Sequence, residues 1–120
     1  MKVAVYGTLR QGFGNHRLLE HSKFLGKTQT EPIFNMHGHV VPWISNGGST
    51  KITIEVYEID EETLERLDWL EGYPSYYNRR LINTEFGEAW IYFIDNRSVG
   101  SKIESGDWAE YRRRNSDDWS

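Results

Sequence analysis

Cysteine is absent from this sequence of 120 residues, and so is any apolar run long enough to cross a membrane. Without cysteine the chain forms no disulfide, no thiolate zinc site and no cysteine nucleophile. Positive charge is also scarce: the net charge is −4 at pH 7, which argues against binding to a nucleic-acid backbone. The apolar start, residues 1–6, is too short for a signal peptide. We therefore expect a cytoplasmic protein without membrane or nucleic-acid partners.

Aromatic side chains, in contrast, are plentiful and make up 14% of the sequence. They allow a single small domain to bury enough area to fold without covalent cross-links. Alternation and turn residues predict about six strands interleaved with two or three short helices. This irregular order predicts an α+β fold, with a small mixed, β-barrel-like curved sheet flanked by short helices. We assign residues 1–103 to this domain and residues 104–120 to a charged, aromatic tail or docking helix.

The best-defined predicted element is a helix that runs from Asp60 to Glu71. Asp60 is a favourable N-cap, and Gly72 is a typical residue at which a helix ends. At about 100° per residue, one face of the helix carries two leucines and two carboxylates. These residues are Leu64, Leu67, Asp68 and Glu71.

Glu71 is therefore a carboxylate in line with an apolar stripe, beside the helix terminus. Partial burial and the negative end of the helix dipole are both expected to raise its pKa. A carboxyl group with a raised pKa suits general acid–base chemistry near neutral pH. The same pattern also fits an ion pair of Glu71 with Arg79 or Arg80 that only ties the helix down.

A second candidate site is the loop that follows the first predicted strand, Val3–Tyr6. The segment Tyr6–Arg10 turns sharply at Gly7 and exposes successive backbone N–H groups, which can bind a carboxylate or an oxyanion. Thr8 adds a hydroxyl donor. An ordinary strand-to-loop turn explains the same residues, so this motif alone is weak evidence.

A pair of histidines and a pair of tryptophans near the C-terminus are weaker candidates for a functional site. His37 and His39 stand two residues apart and could share a metal, but no carboxylate partner is evident nearby. We therefore predict no metal site. Trp108 and Trp119 near the C-terminus could form a protein-interaction surface, or could dock onto the domain.

The loop and the helix end together resemble a known family. The segment Val5–Arg10, with the sequence VYGTLR, resembles the opening signature of the γ-glutamylcyclotransferase-like (AIG2-like) family. The segment Leu67–Pro74, LDWLEGYP, followed by Tyr77 and Arg79, is similar to the helix-end motif of that family. The resemblance extends over about residues 3–94, and the ordered pair of motifs is a specific signal.

The resemblance implies a β-barrel-like α+β fold with a pocket at the mouth of the barrel. It implies an enzyme that converts a γ-glutamyl amine or peptide, a small molecule, to 5-oxoproline and a free amine without a cofactor. Glu71 matches the catalytic glutamate, which acts as general acid and base. The implied substrate-binding residues are Tyr6, Gly7, Thr8, Leu9, Tyr77 and Arg79.

Substrate identity is less well defined by the resemblance than the mechanism is. The Pro42-Trp43 pair and the Tyr-Gly-Thr-Leu sequence resemble the branch of γ-glutamylamine cyclotransferases. Ile54, however, occupies a place where relatives carry glycine, and we expect it to narrow the pocket. Residues 30–50 look short, so the wall that contacts the leaving part of the substrate differs. A non-catalytic module that binds a small ligand is the alternative function.

Overall fold

Eight strands, one 3₁₀ helix and two α-helices form the described part of this computed structural model, residues 1–97 and 99–116. The strands are β1 (Lys2–Val5), β2 (Lys23–Gln29), β3 (Phe34–Gly38), β4 (Pro42–Asn46), β5 (Thr53–Glu58), β6 (Asn78–Thr84), β7 (Gly87–Phe93) and β8 (Ser101–Lys102). The helices are the 3₁₀ helix Gly14–Leu19, α1 (Glu61–Glu71) and α2 (Trp108–Ser116). None of these helices is long and apolar enough to span a membrane.

The strands form two sheets, and a backbone hydrogen bond joins β4 of one sheet to the residue that follows β7 of the other. The larger sheet has the order β2-β5-β1-β7-β6, with β1 antiparallel to β5 and parallel to β7. The smaller sheet has the order β4-β3-β8. The backbone N–H of Ile94, just after β7, donates to the carbonyl of Ile44 in β4 at 2.9 Å and so joins the sheets. The predicted α+β class is confirmed. The described strands number eight rather than about six, because the strand-like segment 24–44, which Pro32, Gly38 and Pro42 interrupt, forms three short strands and β8 is added.

Two apolar clusters fill the interior on opposite faces of β1 and β5. One lies between the two sheets and contains Phe34, Ile54 and Trp108. The other lies under α1 and the 3₁₀ helix and contains Leu67 and Leu19. The five residues Thr53–Tyr57 of β5 are all buried, because both faces of the strand are covered. The alternation of Ile52, Ile54 and Val56 with polar residues therefore predicts the strand, but it does not predict that the polar face is buried as well.

Helix α1 has the predicted beginning, end and buried face. The Asp60 carboxylate accepts a hydrogen bond from the Thr63 backbone N–H at 2.8 Å. Gly72 ends the helix with a φ of 67°, a left-handed conformation that glycine adopts readily. Leu64 and Leu67 are buried, whereas the Trp69 side chain on the opposite face is 85% exposed.

Two sequence-based expectations need correction here. Asn15 is a typical N-cap residue, and the sequence predicts that it caps a short helix. The N-cap position is instead Phe13, and the Asn15 backbone N–H donates to the Thr8 carbonyl at 3.1 Å. Trp108 is fully buried in the core, so it is not part of an exposed interaction surface. Trp119 lies outside the described residues, and the assignment of residues 104–120 to a separate segment stays a prediction.

Candidate active site

A cavity of about 200 Å³ lies where the end of β1, the turn between β3 and β4, and the end of α1 converge. Its walls are mostly apolar, and Glu71 is the one residue with an ionisable carboxyl group among those that line it. Such a volume suits a small amino-acid-like ligand rather than a macromolecule. The cavity brings together Glu71 and the loop Tyr6–Leu9, the two features that the sequence predicted separately.

The Glu71 carboxyl group has an unusual environment. Glu71 is half-buried, and burial raises its pKa from the ordinary value of 4.5 to about 7. Within residues 1–97 and 99–116, its carboxylate makes no ion pair and accepts no hydrogen bond from another side chain. A carboxyl group without a fixed partner is free to exchange a proton with a ligand.

The alternative interpretation, an ion pair that ties Glu71 to an arginine, is wrong. The Arg79 guanidinium instead donates two hydrogen bonds to Asp68, at 2.9 and 3.2 Å. Arg80 donates to the side-chain carbonyl of Asn46 at 2.6 Å. Arg79 also does not line the cavity, so its predicted place in the substrate site needs correction: it lies one layer behind the cavity wall.

Three tyrosines surround the carboxyl group and line the same cavity. The Tyr6 hydroxyl donates to the Tyr92 carbonyl at 2.9 Å, and the Tyr77 hydroxyl donates to the Pro42 carbonyl at 2.9 Å. The Tyr92 hydroxyl donates to Asp68 at 2.7 Å. Burial first, and the nearby Glu71 carboxylate among other causes, raise the pKa of all three phenols above the ordinary value. These groups therefore stay neutral and fixed, and they leave proton exchange to Glu71.

The loop Tyr6–Leu9 is shaped by close packing against the β3–β4 turn. A Cβ on Gly7 would lie 2.7 Å from Pro42 Cγ, which explains why this position has no side chain. The Thr8 hydroxyl accepts a hydrogen bond from the Asn15 amide at 2.9 Å. In the described part of the chain, the backbone N–H groups of Thr8 and Leu9 donate to no protein acceptor, which leaves them for a bound anion.

The two departures from the family pattern have different consequences. Ile54 is completely buried in the core between the sheets and does not line the cavity, so the expectation that it narrows the pocket is wrong. The short segment 30–50 does matter, because its hairpin supplies Val41 and Pro42 to the cavity wall.

Sequence reasoning missed several residues of the cavity wall. Asn15 lines it and holds Thr8, but its sequence context suggested only a helix cap. Pro42 and Tyr92 reach the cavity from distant parts of the chain. The Pro42-Trp43 pair contributes to the family resemblance, but the sequence places neither Pro42 nor Tyr92 at the site. His37 lies elsewhere, stacked on the Trp43 ring with 5.9 Å between ring centroids.

The fold and the cavity define a class: a small α+β domain in which one protonatable carboxyl group faces a loop with unpaired backbone donors. The chain belongs to the gamma-glutamyl cyclotransferase, AIG2-like family, whose model matches residues 3–110. The family assignment that the two motifs suggested is thus confirmed.

Known proteins of similar sequence and structure agree with this assignment. A Methanocaldococcus jannaschii protein, provisionally named a gamma-glutamylcyclotransferase, is 44% identical over 117 residues, covering 92% of this chain and 97% of that protein. An uncharacterized Pyrococcus horikoshii protein has a crystal structure with a TM-score of 0.86 and 34% identity, covering 98% of this chain and 97% of that one. An AIG2-like protein of Mus musculus gives a TM-score of 0.75 at 28% identity, covering 88% and 87% of the two chains.

Proposed function

We propose that this protein is an enzyme that cyclises the γ-glutamyl group of a small γ-glutamyl amine or peptide to 5-oxoproline. The observation that carries the proposal is the unpaired Glu71 carboxyl group, with a pKa of about 7, in one cavity with the loop Tyr6–Leu9. Membership of the family supports the same reaction.

In the proposed reaction the substrate supplies its own nucleophile. The α-amino nitrogen attacks the γ-carbonyl carbon, a five-membered lactam forms, and the bond from that carbon to the amine nitrogen breaks. Two protons leave the α-ammonium nitrogen, and two arrive at the departing amine, which leaves as an ammonium ion. Glu71 relays them one at a time, first as base and then as acid. No cofactor is required by this balance.

The rest of the cavity would hold the substrate in a shape that favours ring closure. The unpaired N–H groups of Thr8 and Leu9 suit the α-carboxylate or the oxyanion that develops at the γ-carbonyl. Tyr77 and Pro42 also line the cavity. Holding the amine close to the carbonyl can lower the barrier by several kcal/mol, because the attack is intramolecular and the orientation is already fixed.

The test is an assay for 5-oxoproline with a panel of γ-glutamyl amines and γ-glutamyl amino acids. We expect the Glu71→Gln variant to fold normally and to lose roughly 10²–10⁴-fold in kcat, since glutamine cannot accept the proton. Glu65→Gln, an exposed glutamate on the same helix, is the matched control and should keep full activity. Full turnover by the Glu71→Gln variant would show that the catalytic assignment is wrong.

The same panel separates the enzyme from a non-catalytic binding module. A wild-type protein that is thermally stabilised by a γ-glutamyl amine, yet releases no 5-oxoproline from any member, would be a binding module.

A further inference from the structure

A set of buried charges lies directly behind the substrate loop. Arg10, the residue after Leu9, is 4% exposed, and Glu55 on β5 is 5% exposed. Arg10 Nε donates to Glu55 Oε2 at 3.1 Å, and Arg10 Nη1 donates to Asp107 Oδ1 at 2.9 Å. One guanidinium therefore bridges two carboxylates, one from the central strands and one from the start of α2. None of these three residues lines the cavity.

Glu55 anchors the end of the loop by more than the ion pair. Its Oε1 accepts hydrogen bonds from the Gln11 backbone N–H and from the Tyr57 hydroxyl, each at 2.9 Å. The Arg10 backbone N–H donates to the Gly7 carbonyl at 3.0 Å, so residues 7–10 form one turn. Because Gly7, Thr8 and Leu9 line the cavity, the position of this turn sets the position of its unpaired N–H groups.

Asp107 belongs to the loop network and to helix α2 at the same time. Its Oδ1 also accepts the Glu110 backbone N–H at 3.2 Å, the usual bond of a helix cap. Burial acts to raise the pKa of Asp107, but the hydrogen bond from Arg10 and the helix N–H hold it below its ordinary value. The carboxylate is thus charged in the folded protein and links the first turn of α2 to Arg10.

We propose that Arg10, Glu55 and Asp107 are positioning residues for the substrate loop, and that α2 helps to set the affinity for the γ-glutamyl group through Asp107. The inference rests on the proposed function, since it takes the loop as the place where the γ-glutamyl group binds. Buried charges are costly to separate, so a complete set holds one loop geometry. When one of the three charged side chains is replaced, the other two lose a partner and rearrange, and the loop shifts with them.

The Asp107→Asn variant tests this while it preserves the helix cap. Asparagine still caps α2, because its side-chain oxygen accepts the same N–H, but it no longer offers a charge to Arg10. We expect KM to rise by roughly three- to thirtyfold with kcat nearly unchanged, as for other residues that act on a site through a network. Glu110→Gln, which breaks an exposed ion pair with Arg114 on the same helix, is the matched control and should leave both constants unchanged.

A second variant separates positioning from general loss of stability. Arg10→Lys keeps a positive charge beside Glu55, but its single nitrogen replaces the two separate nitrogens, Nε and Nη1, that reach Glu55 and Asp107. If the residues act as one set, Asp107→Asn changes KM far less in the Arg10→Lys background than in the wild type. The proposal would be overturned if the two substitutions changed KM by factors that simply multiply in the double variant. An unchanged KM in the Asp107→Asn protein would overturn it as well.

A binding experiment distinguishes this inference from the proposed reaction. It measures the Kd for a γ-glutamyl amine by calorimetry, with and without Asp107→Asn, in the Glu71→Gln background. A weaker Kd after Asp107→Asn, in a protein whose wild type releases no 5-oxoproline, would refute the reaction and support the positioning role. Release of 5-oxoproline with Kd and KM unaffected by Asp107→Asn would support the reaction and refute the positioning role.

Discussion

At the residue scale, Glu71 owes its proposed role to what it lacks. Asp68, one turn earlier on the same face of α1, is held by Arg79 and Tyr92, whereas Glu71 has no such partner within the described residues. Neutral phenols surround it instead, and burial raises its pKa to about 7. The two carboxylates of one helix face are thereby divided into a fixed anion and a group that can exchange protons near neutral pH.

The raised pKa of Glu71 predicts a pH dependence in both rate and stability. The value of kcat/KM should rise with pH through about 7, because the base must be ionised. The folded state binds this proton more tightly than the unfolded state, so the stabilisation is complete below about 4.5 and is lost as pH rises through about 7. Glu71→Gln should therefore gain thermal stability relative to the wild type over that range. A difference in Tm that does not vary with pH would contradict this.

Which site residues could be predicted from the sequence depends on how local their cause is. Glu71 was found from helix phase, and the turn at Gly7 from a strand end, because each depends on a few neighbouring residues. The roles of Asn15 and Pro42 at the site cannot be predicted in this way, because they arise only when the 3₁₀ helix and the β3–β4 turn meet the end of β1. Long-range contacts of this kind leave no periodic pattern in the sequence.

At the scale of elements, Asp68 and Arg79 join α1 to β6 behind the cavity. The Arg79 guanidinium lies 4.3 Å from the centre of the Tyr73 ring and 4.2 Å from that of the Trp90 ring. A planar cation with two donors suits this place between two rings, and an ammonium group does not. The ion pair keeps the Asp68 carboxylate in position to accept a hydrogen bond from the hydroxyl of Tyr92, and Tyr92 lines the cavity.

Arg79→Lys should therefore reduce stability more than it reduces substrate binding. We expect a loss of about 1–3 kcal/mol in the free energy of unfolding, because a paired hydrogen bond to a charged group is lost, and only a small change in KM. Denaturant titration and steady-state kinetics measure the two quantities. Arg80→Lys, an exposed position on the same strand, is the control. A large rise in KM at unchanged stability would instead return Arg79 to the substrate site.

The elements that were predicted well are those with clear ends. The cap Asp60 and the stop Gly72 define α1 within one residue of the prediction, because each satisfies or terminates backbone hydrogen bonds locally. For the β3–β4 hairpin the sequence predicts only a strand-like pattern that Pro32, Gly38 and Pro42 interrupt. In the smaller sheet β3 pairs with β4 on one side and with β8 on the other. Strand β8 has two residues, which are too few to show an alternating pattern.

At the scale of the whole molecule, α2 closes the space between the two sheets. Trp108 packs in the same cluster as Phe34 and Met36 of the smaller sheet and Ile54 of the larger one. A Cβ on Gly38 would lie 2.5 Å from the Trp108 ring, so the hairpin strand β3 has no side chain where the ring rests on it. We therefore propose that residues 104–116 fold together with residues 1–103 rather than as an independent tail.

The two tryptophans Trp108 and Trp69 provide a matched test of this proposal. Trp108→Ala should lower the free energy of unfolding by about 3–5 kcal/mol, since it removes a completely buried ring from the contact between the sheets. Trp69→Ala, at a position 85% exposed on α1, should change stability by no more than about 0.5 kcal/mol. A chain ending at residue 103 should accordingly fail to unfold cooperatively in denaturant. If the two alanine variants were nearly equal in stability, or if the shortened chain unfolded cooperatively, residues 104–116 would not be needed for folding of the domain.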